Sequence, residues 1–247
     1  GHVRQGASVE TYIGVVEASL ERLGTDYIDL VHVHACDSLD RLLDPAVHEA
    51  FARLKAEGKV RFMGVSTHTP NLQEVATTAI DSGKFDVIML AYHHGAWPLQ
   101  PELIDAAHAK GIGIVAMKTL KGGKHRGLVE FRDEADAYSQ AAFKWVLSNP
   151  AVSCLVVSFS ETQHLDEYVY ASGQSLGDGD VAVLERYDEL ISGTHCFAHC
   201  GECLPACPSQ VPINDVLRHR MYFEDYGDQK QAMQLYAKLD VNASACI

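Results

Sequence analysis

The sequence has 247 residues, with 20 lysines and arginines against 33 aspartates and glutamates, which gives a formal net charge of −13. An acidic balance of this size argues against broad binding to nucleic acid or to an anionic membrane surface. No run of about eighteen apolar residues occurs, so the sequence predicts no transmembrane helix. The length suits either one large α/β domain or one domain with a small appendage.

Helical and strand patterns alternate along the first part of the chain. Apolar residues recur at helical spacing from Ser8 to Leu23, with Ser8 as the expected N-cap and Gly24 as the expected stop. The run from Tyr27 to His34 has the β-branched and aromatic residues that strands favour. The alternation repeats, and further strands are predicted at residues 59–66, 85–92, 113–118 and 154–158. Five such units predict parallel strands joined by helices.

The predicted strands bring five residues to one edge of a parallel sheet. These strand-end residues are His34, Ser66, Tyr92, Lys118 and Ser158. In barrels built from such units, the C-terminal ends of the strands carry the chemistry. The pattern alone leaves two architectures open, an incomplete eight-stranded barrel or an open doubly wound sheet that is complete as it stands.

Four cysteines fall within twelve residues near the C-terminal end, at Cys196, Cys200, Cys203 and Cys207, and Pro208 follows the last of them. The spacing C-x3-C-x2-C-x3-C-P is one residue longer in its first gap than the bacterial ferredoxin pattern. A structural zinc site usually splits its thiols into two separated pairs, and disulfides suit an oxidising compartment, which an ordinary composition without a secretory leader does not indicate. The spacing therefore favours a 4Fe–4S cluster over both alternatives, and we expect a cytoplasmic protein.

Four segments, at residues 20–34, 58–67, 85–92 and 111–118, resemble the aldo-keto reductases, in the branch that carries a C-terminal iron–sulfur segment. The resemblance implies a (β/α)8 TIM barrel that transfers hydride from a nicotinamide cofactor to a small-molecule carbonyl substrate. It also implies that the first three barrel strands are missing here, and we expect the natural chain to extend beyond both ends. We predict a partial barrel of about five βα units over residues 1–190 and a small helical, ferredoxin-like segment over residues 191–247.

The resemblance implies one catalytic residue in this sequence. In the family, a tyrosine tuned by a lysine and an aspartate protonates the carbonyl oxygen, while a histidine at a strand end orients the substrate. Only the histidine maps onto this chain, as His34. His32 precedes it by two residues on the same face of the strand, and we interpret it as a structural histidine with satisfied hydrogen bonds.

The resemblance also implies a set of cofactor-binding residues: Ser66, Thr67, Met89, Tyr92, Met117, Lys118, Ser158 and Ser160. Ser66 matches the serine that the family uses for the nicotinamide amide. Thr67 and Met89 stand where the family has an asparagine and a glutamine, which changes the recognition of that amide. Lys118 either offers positive charge to a phosphate or is a surface residue.

Charge near the expected adenosine end of the cofactor bears on the choice between NADH and NADPH. The family usually places basic residues there for the 2′-phosphate of NADPH, but no lysine or arginine occurs between Lys144 and Arg186. The amides of a helix N-terminus near Ser160 offer a phosphate site, whereas Glu161 discourages a dianion. We therefore expect a preference for NADH, or only a weak preference.

Several questions stay open from the sequence. Cys246 resembles the start of a second cluster motif, in which case Cys207 would serve a second cluster; otherwise all four cysteines close one. An alternative function is a non-catalytic barrel whose cluster is structural or passes electrons to a redox partner. Cys36 and Cys154 are interpreted as buried small hydrophobes.

A further pair, His93 and His94, resembles two metal ligands in sequence. Neighbouring residues at a strand end point to opposite sides, so one metal ion is a poor fit for both. We interpret the two histidines as pocket-lining residues at most.

Overall fold

A computed structural model of the chain describes Val3 and residues 5–67, 71–96, 100–120, 138–159, 162–191, 203–224 and 228–246. The strands in these ranges are β1 (Ile28–Val33), β2 (Val60–Thr67), β3 (Val87–Ala91), β4 (Gly113–Met117) and β5 (Val152–Leu155). The helices are α1 (Val9–Leu23), α2 (Leu39–Leu42), α3 (Pro45–Ala56), α4 (Leu72–Ser82), α5 (Gln100–Ala109), α6 (Tyr138–Leu147), α7 (Gln163–Tyr170), α8 (Asp178–Ile191), α9 (Ile213–Glu224) and α10 (Gln229–Tyr236), with a short 3₁₀ helix at Ala243–Ala245.

The strands form one sheet whose spatial order, β1-β2-β3-β4-β5, is their order in the sequence. The pairs β1–β2, β2–β3 and β3–β4 are parallel, as the alternating pattern predicts. A doubly wound sheet reverses its order at a switch point, whereas consecutive units of a barrel follow one another. The predicted α/β fold with a parallel sheet is confirmed, and the strand order is that of a partial barrel.

The chain divides into two compact units. The first comprises Gly1–Ala91, Pro98–Met117 and Pro150–Cys154, and it contains the sheet with helices α1 to α5. The second comprises Tyr92–Trp97, Lys118–Asn149 and Leu155–Ile247, and it contains helices α6 to α10. The predicted domain boundary between residues 190 and 191 remains a prediction.

The ends of α1 follow the signals in the sequence. Ser8 is the N-cap, and its side chain accepts a hydrogen bond from the Thr11 N–H. Gly24 ends the helix in the left-handed conformation with φ 66°, which glycine adopts without a steric penalty. The predicted start and stop are both confirmed.

The sheet of the first unit has two different faces. On one face the alternate residues of the central strands are at most 1% exposed, and they are Val65, Ile88, Leu90, Ile114 and Ala116. The neighbours of Val65 on either side point to the other face, which carries Gly64 and Ser66. Phe62, on that same face at the opposite end of β2, is 49% exposed. The first face is therefore the core, and the second carries the candidate site at one end.

The second unit has its own small core between α6 and α8. Tyr138, Ala142, Leu184 and Tyr187 are buried there, and the two tyrosine rings lie 4.2 Å apart. The same helices are joined by a buried ion pair, in which Lys144 Nζ lies 2.9 Å from Asp180 Oδ1. No helix in the described part of the chain is both long and apolar enough to span a membrane.

Two details differ from the sequence predictions. The strand β5 ends at Leu155 rather than at Ser158, because the residues after Leu155 leave the ladder. Cys154 is exposed, so the interpretation of this residue as buried is wrong, whereas Cys36 is fully buried as predicted. Cys154 lies in the short strand β5, where neighbouring Ser153 is exposed as well.

Acidification is expected to destabilise the first unit through His48. Its Nε2 lies 2.9 Å from the Leu42 carbonyl, and its ring packs edge-on against Phe85. Burial, opposed by that hydrogen bond, lowers the pKa of His48 from the ordinary 6.5. Because the unfolded chain then takes up the proton first, the free energy of unfolding falls as the pH drops below about 6.5.

Chemical denaturation at about pH 7 and about pH 5 measures the effect. His48→Gln, which keeps a donor for the Leu42 carbonyl, is expected to lose less stability over this interval than the wild type. The same change at His108, an exposed histidine of α5, serves as the control. An equal loss in wild type and His48→Gln would contradict the prediction.

Candidate functional site

The ends of β1 and β2 are held together by one serine. The Ala35 N–H donates to Ser66 Oγ at 2.9 Å, and the Cys36 N–H donates to the Ser66 carbonyl at 2.7 Å. Ala35 has φ 49°, a left-handed conformation that is uncommon outside glycine. Ser66, itself 2% exposed, therefore fixes the sharp turn that follows His34.

His34 lies at the start of that turn, and its side chain is exposed. Its carbonyl accepts a hydrogen bond of 3.0 Å from Arg41 Nη2, which ties the turn to α2. A ligand can therefore reach the imidazole. Hydrogen bonds at the His34 carbonyl and at the Ala35 N–H hold the backbone on either side of it. The catalytic role predicted for His34 remains a prediction.

His32 lies deeper on the same face and packs closely on Gly64. A Cβ added to Gly64 would lie 2.6 Å from both Nδ1 and Cε1 of the ring, so the ring occupies the space that glycine leaves. Burial is the main reason that the pKa of His32 is lowered, and a hydrogen bond with the Val65 backbone acts in the opposite direction. The buried Nδ1 has no hydrogen-bond partner in the structure, so the interpretation of a satisfied histidine holds for only part of the ring.

Two methionines continue the candidate site across the sheet. Met89 of β3 pairs with Ser66, and Met117 of β4 pairs with Ala91 at the end of β3. Both side chains are half-buried, and the parallel register puts them on the face that carries Ser66. The structure therefore brings Ser66, Met89 and Met117 to the C-terminal end of one sheet face, close to His34 in the β1 turn.

Thr67 behaves differently from its neighbour Ser66. It is fully buried, and its Oγ1 has no hydrogen-bond partner in the structure. The alternation along β2 directs its side chain to the helix-covered face, together with Val65. Burying a hydroxyl without a hydrogen-bond partner costs free energy. Stability therefore does not explain why a threonine stands at this position.

In the second unit, Lys118 follows β4 directly and has φ 59°. Burial and then the nearby positive charge of Arg218 in α9 lower the pKa of its ammonium. The residue as a whole is exposed, so solvent moderates both effects. Arg218 Nη1 also lies 3.7 Å from Asp215 Oδ1 on α9, so its charge is partly balanced. The phosphate role of Lys118 remains a prediction beside the alternative of an ordinary surface lysine.

Tyr92 also lies in the second unit, directly after β3, and it is 5% exposed. Its hydroxyl accepts a hydrogen bond from Asn149, and its ring packs on Trp145. No local pattern predicts either contact, because Trp145 and Asn149 lie 53 and 57 positions after Tyr92. Ser158 is exposed and lies three residues after β5, and Ser160 falls outside the described residues.

His93 and His94 make separate contacts rather than a metal pair. His93 is 5% exposed, and its Nδ1 lies 2.9 Å from the His94 carbonyl. His94 Nδ1 lies 2.9 Å from Asp188 Oδ2 in α8. Across the described ranges, no group of three or more histidine, cysteine, aspartate or glutamate side chains is placed to hold a metal ion.

The cysteine run is only partly described. Cys203 and Cys207 are free and half-buried, and the Ala206 N–H donates to the Cys203 carbonyl in the turn between them. Cys196 and Cys200 lie outside the described residues. Soft thiolates bind zinc, copper(I) and iron–sulfur clusters alike, so the two described thiols do not identify a metal. The cluster remains a prediction.

Comparison with known proteins adds the following findings. The model of the Aldo/keto reductase family matches residues 1–137. L-galactose dehydrogenase of Arabidopsis thaliana is 25% identical over 179 residues, which cover 63% of this chain and 56% of that protein. The oxidoreductase YcsN of Bacillus subtilis is 54% identical over 179 residues, which cover 65% of this chain and 58% of that protein. The chain therefore spans somewhat more than half the length of these relatives.

The fold is shared with a solved structure. The holo form of an aldo-keto reductase from Bacillus halodurans superimposes with a TM-score of 0.58 at 22% sequence identity, covering 72% of this chain and 67% of that one. At this identity, the likeness shows the fold alone.

Proposed function

The chain belongs to the aldo/keto reductase family, whose members are NAD(P)-dependent oxidoreductases, and we propose that the full-length protein transfers hydride between a nicotinamide cofactor and a small-molecule carbonyl substrate. The observation that carries this proposal is the arrangement at the C-terminal end of the sheet, where Ser66 fixes the turn after His34 and lies beside Met89.

The residues at this sheet end fit a nicotinamide. Ser66 Oγ accepts a hydrogen bond from the Ala35 N–H. The hydroxyl proton of Ser66 can therefore be donated to the carboxamide oxygen of the nicotinamide. The thioethers of Met89 and Met117 are half-buried, and their soft side chains suit the flat, mostly apolar ring. The cofactor, when bound, supplies the hydride. The exposed imidazole of His34 then hydrogen-bonds the carbonyl oxygen and orients the substrate.

Steady-state oxidation of NADH and NADPH with a panel of aldehydes and quinones tests the activity of the full-length protein. His34→Ala is expected to lower kcat/KM for the carbonyl compound by about 100-fold, the lower end of the range for one positioned acid–base or hydrogen-bonding group. Its affinity for NADH is expected to stay unchanged. Turnover by the wild type that His34→Ala leaves intact would contradict the role of this residue.

One observation favours a second candidate function. Thr67 is fully buried, and the thioether of Met89 is only a weak acceptor, so Ser66 is the one strong hydrogen-bonding group for the nicotinamide amide in this proposal. A non-catalytic barrel whose cluster is structural or relays electrons to a redox partner would need no such recognition. Absence of any NADH or NADPH oxidation by the full-length protein would favour this candidate.

We further propose that NADH is bound at least as tightly as NADPH. In the sequence, the stretch between Lys144 and Arg186 lacks the basic residues that would pair with a 2′-phosphate, and it includes the acidic Glu161. Lys118, which directly follows β4, is proposed to supply positive charge for the phosphates that both cofactors share. Titration of the protein with each cofactor measures the preference, and much tighter binding of NADPH would contradict it.

The C-terminal cysteines are proposed to hold a 4Fe–4S cluster in a helical segment over residues 191–247. The ligands in this proposal are Cys196, Cys200, Cys203 and Cys207. The support is the ferredoxin-like spacing and the two half-buried, unpaired thiols of Cys203 and Cys207. The cluster relays electrons or stabilises this segment, because metal binding couples to folding.

Iron and acid-labile sulfide analysis of the full-length protein tests the cluster. About four iron atoms per chain are expected for one cluster and about eight for two, in which case Cys207 serves the second. Cys203→Ser is expected to lower the iron content, whereas Cys154→Ser, at an exposed cysteine of β5, is expected to leave it unchanged. Zinc without sulfide would refute the assignment.

A further inference from the structure

The turn that follows β1 contains a backbone conformation that alanine rarely adopts. Ala35 has φ 49°, in the left-handed region, where a β-carbon crowds the backbone and costs free energy. Residues in such conformations persist where the surrounding structure holds them, and they cluster at functional sites. Ala35 directly follows His34, so the strained residue adjoins the candidate catalytic side chain.

Strand β2 holds Ala35 in this conformation. The Ala35 N–H donates to Ser66 Oγ at 2.9 Å, and the next N–H, that of Cys36, donates to the Ser66 carbonyl at 2.7 Å. Cys36 is fully buried, so the chain passes from the strained residue straight into the core. The backbone at Ala35 therefore relaxes only if these contacts with β2 break.

Two helices hold the same turn from its other sides. Arg41 of α2 donates from Nη2 to the His34 carbonyl at 3.0 Å, and the Arg41 N–H donates to Ser38 Oγ at 3.4 Å. Asn71, the N-cap residue of α4, donates from Nδ2 to the Asp37 carbonyl at 2.8 Å. All of these residues belong to the first compact unit. The turn is therefore fixed by three elements of one unit.

We call residues 34–38 the His34 turn. We propose that the left-handed conformation of Ala35 aims the imidazole of His34 at the substrate carbonyl, and that Arg41 is a positioning residue that holds the turn in this state. The proposal rests on the proposed function, since His34 meets a carbonyl group only if the protein is a reductase. A group that is already in position loses little freedom when it meets the substrate, which lowers the barrier to reaction.

Ala35→Gly separates activity from stability. Glycine adopts a positive φ without a steric penalty, so the substitution relieves the strain and keeps both backbone hydrogen bonds. In the full-length protein, the melting temperature is expected to stay equal or to rise. By contrast, kcat/KM for the carbonyl compound is expected to fall about tenfold, because the freed turn aims His34 less often. Affinity for NADH is expected to stay unchanged. Calorimetry and steady-state kinetics measure these quantities.

Gln210→Gly is the matched control. Gln210 is exposed and has φ 54°, and its N–H donates to the Cys207 carbonyl, a bond that glycine keeps. Relief of strain at this position is likewise expected not to lower the melting temperature. Because Gln210 lies outside the His34 turn, kcat/KM is expected to stay unchanged.

Substitutions of Arg41 test the contribution of α2. Arg41→Met removes the hydrogen bond to the His34 carbonyl and is expected to lower kcat/KM about tenfold. Arg41→Lys, which keeps a donor and the positive charge, is expected to recover most of this loss. In the His34→Ala background, Arg41→Met and Ala35→Gly are each expected to have no further effect, because residues that act through one group are not additive.

The possible outcomes separate the proposal from the function on which it rests. A lower melting temperature together with lower kcat/KM in Ala35→Gly would assign the His34 turn to folding and overturn the proposal. Unchanged kcat/KM in Ala35→Gly, or an equal loss in the His34→Ala background, would also overturn it and leave the proposed function intact. A wild-type protein that oxidises neither NADH nor NADPH with any carbonyl compound would overturn both.

Discussion

Replacing Lys144 with methionine is expected to lower the free energy of unfolding by about 3–5 kcal/mol, the usual cost of removing one partner of a buried ion pair. Lys144 and Asp180 are 7% and 5% exposed, and their charged atoms lie 2.9 Å apart. The other oxygen of Asp180 accepts a hydrogen bond from the Gly177 N–H. The substitution leaves the carboxylate buried without its cation, where water cannot replace it.

The matched control is an exposed ion pair in the same unit. Arg220 and Glu224 lie one turn apart on α9, with side chains 64% and 52% exposed. Arg220→Met is expected to cost at most about 0.5 kcal/mol, because solvent screens such pairs. Urea denaturation followed by circular dichroism measures both variants. A loss below about 1 kcal/mol in Lys144→Met would contradict the assigned role of the buried pair.

Gly64→Ala is expected to destabilise the first unit by about 1–3 kcal/mol, the usual cost of overpacking. The added Cβ would lie 2.6 Å from Cε1 and Nδ1 of the His32 ring and 3.2 Å from Cγ of the same ring. His32 is the direct neighbour of Gly64 in the sheet. The ring must therefore move out of its place. His32 is two residues before His34, so the displacement disturbs the candidate site as well.

A second substitution decides whether the His32 ring is the cause. In the His32→Ala background, Gly64→Ala is expected to cost much less, because the colliding atoms are gone. Gly14→Ala is the control: apart from the backbone of its own helix and its chain neighbours, no described atom lies within 4 Å of the added Cβ, and the site is inside α1. Alanine there is expected to stabilise the protein by up to about 1 kcal/mol. An equal cost of Gly64→Ala with and without the His32 ring would contradict the explanation.

Local signals in the sequence predict most of the sheet unit. Ser8 and Gly24 mark the ends of α1, and the apolar alternation marks the strands, because hydrogen-bond capping and face burial act over a few residues. The sequence pattern predicts the last strand from Cys154 to Ser158, whereas β5 runs from Val152 to Leu155. Short apolar runs do not fix strand ends, which depend on the neighbouring strand.

The contacts around the candidate site are less accessible to sequence reasoning. The strand ends place His34 and Ser66 at one edge, but nothing local predicts that Ser66 anchors the turn after His34. The packing of Tyr92 on Trp145 and the bond from His94 to Asp188 join residues 53 and 94 positions apart. Such pairs depend on how whole helices pack, and the spacing of residues along the sequence does not predict them.

Titration of the full-length protein with NADH shows whether the nicotinamide binds, as we propose, at the C-terminal end of the sheet face that carries Ser66. Met89→Ala, next to Ser66, is expected to weaken NADH binding about tenfold, or ~1.4 kcal/mol. Phe62→Ala, on the same face of β2 but at its other end, is expected to leave the affinity unchanged. Weaker binding in Phe62→Ala with unchanged binding in Met89→Ala would contradict the claim.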